Sequence, residues 1–305
     1  MSLSRTARQR AFFVLLCLIW GSTWLALKVG GAAVPPGFFS GMRWTASGAL
    51  LLLWQTLRHQ PLRVGPHLWP RLLAVGLLMI SLNAVFMMYG LRYVGSGLAS
   101  VINAALTPLS LLGFAVAAGQ ERWSARQLGA IGLGVCGIFV LFGPDALAGA
   151  ADTAELLGAV LLIVGCLCYT AGSVLVRPLM RSMSAPQVGG LTNLIGGLVL
   201  LVFSVPFEPG ARDALALDWG TPAWLAWAFL LFVSSLAATM IYLILVRDWG
   251  ASRTGTYAFV SPVIAVLLGT TFYGERLDLG DAVGMLLMLG AAALALRRPA
   301  TAGSD

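Results

Sequence analysis

Two stripes of residues carry the chemistry open to this sequence. Trp20, Trp24 and Lys28 recur at four-residue intervals, and Tyr169, Ser173 and Arg177 repeat that spacing 149 positions later. Residues at i, i+4 and i+8 share one face of a helix, so each set forms a line of ring or hydroxyl groups ending in a cation. Such a cation attracts a carboxylate, while rings stack on apolar groups or host an ammonium. A plainer reading competes: cations at helix ends snorkel to headgroups, and aromatics gather in interfacial belts. That reading suits Arg177, whereas Lys28, the only lysine in the chain, fits either.

Arg43 stands inside an apolar run. A cation there costs roughly 2.5–3.5 kcal/mol on insertion scales, so it faces protein or water, or snorkels to the near interface. Further polar or soft groups within apolar runs are Asn83 and Met87, Asn103 and Thr107, Asn193, then Ser235, Thr239 and Tyr242, and Tyr257. Hydrogen bonding between helices accounts for any one of them. Together they offer the few polar contacts of a small-molecule cavity. Pro108 and Pro262 are the expected kinks, since proline removes a helical N–H and frees a carbonyl. Reactive constellations are missing. The four cysteines lie within apolar runs and both histidines, His59 and His67, in one loop, so the cysteines read as small apolar residues. Neither a nucleophile–base pair, a metal cluster nor a phosphate loop emerges, and an enzyme and a cofactor are not expected.

The elements that must hold these residues follow from composition. Of 305 residues, 59% are apolar and 10% charged, and the mean hydropathy is +0.88. Soluble domains carry about 25% charged residues, so a soluble enzyme, a disordered chain and a nucleic-acid binder are all excluded. A membrane-crossing helix needs about 20 apolar residues. Runs of that kind fall at 11–30, 36–56, 70–91, 94–118, 125–143, 155–176, 184–206, 222–246, 251–273 and 279–296. The expected fold is an all-α integral membrane protein of ten transmembrane helices in the lipid bilayer. The first run, with Trp20 and Trp24 and no small-residue cleavage site, reads as a retained span instead of a signal peptide. With the N-terminus inside, 14 of the 19 basic residues fall in cytoplasmic loops and 4 outside, leaving Arg43 within a span. By the positive-inside rule both termini are then cytoplasmic. Spans 5 and 10 carry Gly129, Gly132, Gly134 and Gly137, then Gly284, Gly290 and Ala291 to Ala293, which read as packing or oligomer faces.

The chain also repeats itself. Thr107-Pro108 precedes Glu121-Arg122 as Ser261-Pro262 precedes Glu275-Arg276, with 13 positions from proline to glutamate in each. Two repeats, at 11–143 and 155–297, hold five spans each, and an odd number inserts the second upside down. Inverted repeats are a construction principle of secondary transporters. Trp20-Gly21-Ser22, Arg43, Pro108, and Glu121 followed by Gly129 and Gly134, in this duplicated order, resemble the EamA-type drug/metabolite transporters. The resemblance spans about 12–296 and implies an inner-membrane exporter of amino acids, broad or aromatic in specificity. Another small metabolite, an organic anion or a drug is the alternative substrate. Small four-span relatives carry an acidic residue in their first span, where this chain reads Leu18-Ile19-Trp20-Gly21. That departure argues against drug–proton antiport. A monomer suffices, because one chain already holds both orientations.

Overall fold

The computed structural model describes residues 5–93, 96–122, 124–148, 153–261, 263–264, 267 and 279–296. Among them every regular element is helical. They are α1 (Arg5–Ala33), α2 (Pro36–Leu57), α3 (Trp69–Val75), α4 (Asn83–Gly90), α5 (Ser96–Ala117), α6 (Ala125–Ala148), α7 (Thr153–Leu179), α8 (Ala185–Phe207), α9 (Thr221–Phe229), α10 (Thr239–Trp249), the short α11 (Ala251–Thr254) and α12 (Leu279–Leu296). Residues 257–261 are also helical. The helices follow the apolar runs closely because a backbone in hydrocarbon must satisfy its own hydrogen bonds. Among the described residues, four helical stretches are long and apolar enough to cross a membrane: Pro66–Gly90, Leu156–Leu179, Ala185–Phe207 and Thr221–Trp249.

Starts and stops are written locally. Proline stands in the first turn of α2, α8 and α9, where a missing N–H costs nothing. Ser184 caps α8 by accepting from the Gln187 amide at 3.3 Å, as N-cap hydroxyls do. Gly250, at φ 88°, closes α10 in a backbone region that side-chain-bearing residues rarely adopt.

Two stretches are wound as π-helix: Gly76–Leu82 joins α3 to α4, and Leu230–Ala238 joins α9 to α10. In each, a hydroxyl donates to the carbonyl five residues back, Ser81 to Gly76 and Thr239 to Ser234, both at 3.4 Å. Neither wide turn is visible in the apolar pattern, because π-winding shifts a hydrogen bond by one residue without changing which residues are apolar.

Antiparallel α2 and α8 form the most extensive helix pair among the described residues. Gly41 lies on Leu201, Gly48 on the Gly190 carbonyl and Leu194 amide, and Gly197 on the Thr45 amide. A Cβ at Gly48 would stand 2.4 Å from the Leu194 amide nitrogen, and one at Gly197 2.3 Å from that of Thr45. The small-residue faces of α6 and α12 are used in part: Gly137 faces Met288 and the Gly284 carbonyl, and Gly134 faces the Phe259 ring, while among the described residues nothing lies within 4 Å of a Cβ at Gly129 or Gly132. The central core gathers Leu16, Leu72, Leu179, Tyr242 and Leu245. Large apolar side chains also point outward, with Val202, Phe203, Leu225 and Leu286 each more than 60% exposed. Their combined surface suits hydrocarbon, not water.

Candidate functional site

Helix rotation brings five of the expected pathway residues to one place. Trp20 on α1 stacks edge-on against Tyr257 with ring centres 4.5 Å apart, and lies 5.1 Å from Tyr242 on α10. Tyr169 on α7 is 6.0 Å from Tyr242, and the Tyr257 hydroxyl donates to the Tyr169 hydroxyl at 3.3 Å. Ser173, one turn beyond Tyr169, is hydrogen-bonded to the Tyr242 hydroxyl. The result is a ring-walled cluster with four hydroxyl groups, drawn from both halves of the chain. Aromatic pairs in these tilted and edge-on geometries gain about 0.5–1.5 kcal/mol beyond burial. Their faces and hydroxyls are the groups by which a protein holds an apolar ring or an ammonium.

A second polar junction joins α2, α8 and the π-turn before α10. The Asn193 amide donates to the Ser47 hydroxyl at 3.1 Å, and that hydroxyl donates to the Ser235 carbonyl at 3.3 Å. Asn193, Ser47 and Ser235 are fully buried. Arg43, one turn from Ser47 on α2, is 6% exposed and lies over the Trp44 ring at 4.5 Å. Among the described residues its Nε, the Asn193 Oδ1 and the Ser235 Oγ have no hydrogen-bond partner. Among the described residues no carboxylate pairs with Arg43. The sequence left open whether Arg43 snorkels; the structure keeps it inside.

The remaining expected residues lie elsewhere. Asn83 donates to the Gly165 carbonyl at 3.1 Å and ties α4 to α7. Met87 packs beside Leu162 and Ile102. The Asn103 carbonyl accepts from Thr107 at 2.6 Å, while Thr107 also meets the Cys166 sulfur at 3.3 Å. Thr239 is taken up by the π-turn. Arg177 does not reach the aromatic cluster. Its Nη1 donates to the Gln120 carbonyl at 3.3 Å, in a corner where the Gln127 amide donates to Glu121 at 3.2 Å. Gly250 closes that corner, since a Cβ there would stand 2.8 Å from the Glu121 carboxylate. Helix α5 continues through Pro108, which lines a cleft with Gln127, Ser252 and Phe259. Trp24 and Lys28 belong to α1, but their side chains fall outside the described residues, as does Pro262.

One buried acid escaped the sequence reading. Glu208, just past α8, accepts from the Gly37 amide at 3.0 Å and the Phe38 amide at 2.9 Å, and from the Ser204 hydroxyl. It therefore caps α2 from the far end of the antiparallel pair, where a carboxylate meets the positive end of the helix dipole. In sequence it looks like the first residue of a polar loop. A glutamate following one apolar run, matched to a proline opening another, was the available signal.

Comparison with known proteins agrees with this picture. The model of the EamA-like transporter family matches residues 10–143 and again 156–297. YedA of Escherichia coli (strain K12), described as an uncharacterized inner membrane transporter, is 32% identical over 266 residues, covering 86% of this chain and 82% of that one. YvbV of Bacillus subtilis (strain 168), an uncharacterized transporter, is 27% identical over 94% of this chain and 90% of its own. A solved crystal structure superposes with a TM-score of 0.79 at 21% identity, over 96% of this chain and 97% of the other, and shares the fold. Matched across both repeats, this multi-pass, membrane-embedded chain belongs to the EamA-like transporter family.

Proposed function

We propose that this transporter exports amino acids, of broad or aromatic specificity, from the bacterial cytoplasm across the inner membrane. The observation that carries the reading is the cluster of Trp20, Tyr169, Ser173, Tyr242 and Tyr257, which joins residues of both repeats around one point. Rings and hydroxyls there suit an apolar or aromatic side chain. Ten spans in two inverted halves would open this point to one side and then the other, as inverted repeats do. The paired π-turns, each in the middle of the third long helix of its repeat, support the equivalence of the halves. The distribution of basic residues supports cytoplasmic termini, and a single chain suffices for the cycle. Lys28 and Arg177 are read as the cations at the two mouths, and no cofactor takes part.

Mid-span acids are absent from the sequence, which favours facilitated export over proton exchange. Purified protein in liposomes preloaded with labelled amino acids tests the proposal. Exchange of at least one, unaffected by a pH gradient, is the expected result; exchange of none removes the amino-acid reading. Arg43 favours a second reading, a permease for organic anions, and anions in the same panel separate the two.

A further inference from the structure

Resting on the export reading, we infer that Arg43, Asn193 and Ser235 form a clamp for the charged head of an α-amino acid. In this clamp the guanidinium takes the carboxylate, while Asn193 Oδ1 and Ser235 Oγ receive the ammonium. The argument is one of unmatched hydrogen-bonding capacity. Arginine offers only donors, an amide oxygen only accepts, and a hydroxyl does both. All three groups are buried and carry an atom unpartnered among the described residues, although buried polar atoms in native proteins are nearly always paired. Ser47 fixes their relation: it is bonded to Asn193 and to the Ser235 carbonyl at once, and Arg43 follows one turn away, about 6 Å along α2. On the other side of Arg43, Ser40 on the same face donates to the Met88 sulfur at 3.0 Å, and among the described residues no carboxylate pairs with the cation.

The mixture of orphans selects the ligand. A simple anion would satisfy Arg43 and leave the Asn193 oxygen bare. A simple cation would be repelled by Arg43. A group with negative and positive ends on adjacent carbons serves all three. The aromatic cluster begins two turns further along the same element, since Tyr242 lies about 10 Å from Ser235 at the usual helical rise. The clamp and the cluster are therefore separate stations on one helix, one for the head group and one for the side chain.

The test is competition against counterflow of labelled phenylalanine in liposomes carrying the full chain. With the wild type, phenylalanine amide, which lacks the carboxylate, and N-acetylphenylalanine, which lacks the ammonium, should each compete at least tenfold more weakly than phenylalanine. In Arg43→Gln the amide should compete as well as phenylalanine, and in Asn193→Leu the penalty for acetylation should shrink. Arg43→Lys keeps the charge and should keep the preference for a free carboxylate. Asn193→Asp supplies Arg43 with a permanent partner, so it should remain folded and lose counterflow. A packing role for Arg43 would lower every rate without altering these ratios, which overturns the clamp. So does equal competition by the amide in the wild type, a result that needs no variant to fold. If the wild type exchanges neither phenylalanine nor any other amino acid, the export reading falls and the clamp falls with it.

Discussion

The α2–α8 seam and the aromatic cluster are both contacts between the two halves of the chain, yet they are built on opposite terms. The seam is backbone against backbone: Gly48 and Gly197 leave no room for even a methyl group. Its ends are tied as well, by Glu208 on the α2 amides at one end and by Gln55 donating to Ser184 at 3.1 Å at the other. The aromatic cluster is side chain against side chain, with ring centres 4.5 to 6.2 Å apart and hydroxyls bonded to one another. Side chains can exchange partners by rotating, whereas backbones in contact cannot part without the helices moving. The seam thus behaves as a frame and the cluster as the part able to rearrange around a substrate.

This contrast is best attacked first at the seam. Gly48→Val should be the most damaging change, costing roughly 3 kcal/mol or more as overpacking against backbone, read as loss of folded protein on thermal unfolding in detergent. A melting curve like that of the wild type would show that the frame yields. Next comes the tie. Glu208→Ala removes two amide acceptors from a buried helix start and should cost about 2 kcal/mol, within the range for charged hydrogen bonds. Glu208→Gln, which still accepts, should lose less by the same measurement.

Within the cluster the ranking should invert, with function more sensitive than stability. Tyr242→Phe removes the hydroxyl bonded to Ser173 and should cost about 1 kcal/mol of stability. Amino-acid counterflow should nevertheless fall by roughly tenfold, the equivalent of about 1.4 kcal/mol lost in substrate binding. Equal losses of stability and transport would place Tyr242 in the frame. The smallest effect belongs to Gly129→Ala, where among the described residues nothing lies within 4 Å of the added Cβ. Its unfolding should stay within about 0.5 kcal/mol of the wild type, in direct contrast to Gly48.

Particular residues show how far the sequence could be read. Helix positions were legible, because length and missing charge decide where a chain can enter hydrocarbon. The four-residue stripes put Trp20 on one helix and Tyr169 with Ser173 on another, and the structure brings these three together, but Arg177, on the same stripe as Tyr169, belongs to a different corner. An element near 40 Å long spans more than one environment, at 1.5 Å per residue. Glycine density did not pick out the α2–α8 seam: the run from Gly129 to Gly137 drew attention to α6, while the seam rests on Gly41, Gly48, Gly190 and Gly197. Glycine marks a possible close approach, and only the partner makes it one.

By itself, then, the sequence determined that this protein lives in a membrane as helices and which residues interrupt its apolar surface. Those properties follow from local rules, since each helix satisfies its own backbone and each charge is costly wherever it stands. Tertiary structure decided which interruptions meet. Trp20 joins Tyr242 and Tyr257, Asn193 joins Ser47, and Glu208 joins the start of α2 only because each helix has a particular rotation and neighbour. Those two quantities are set by packing across the whole assembly, and no single apolar run records them.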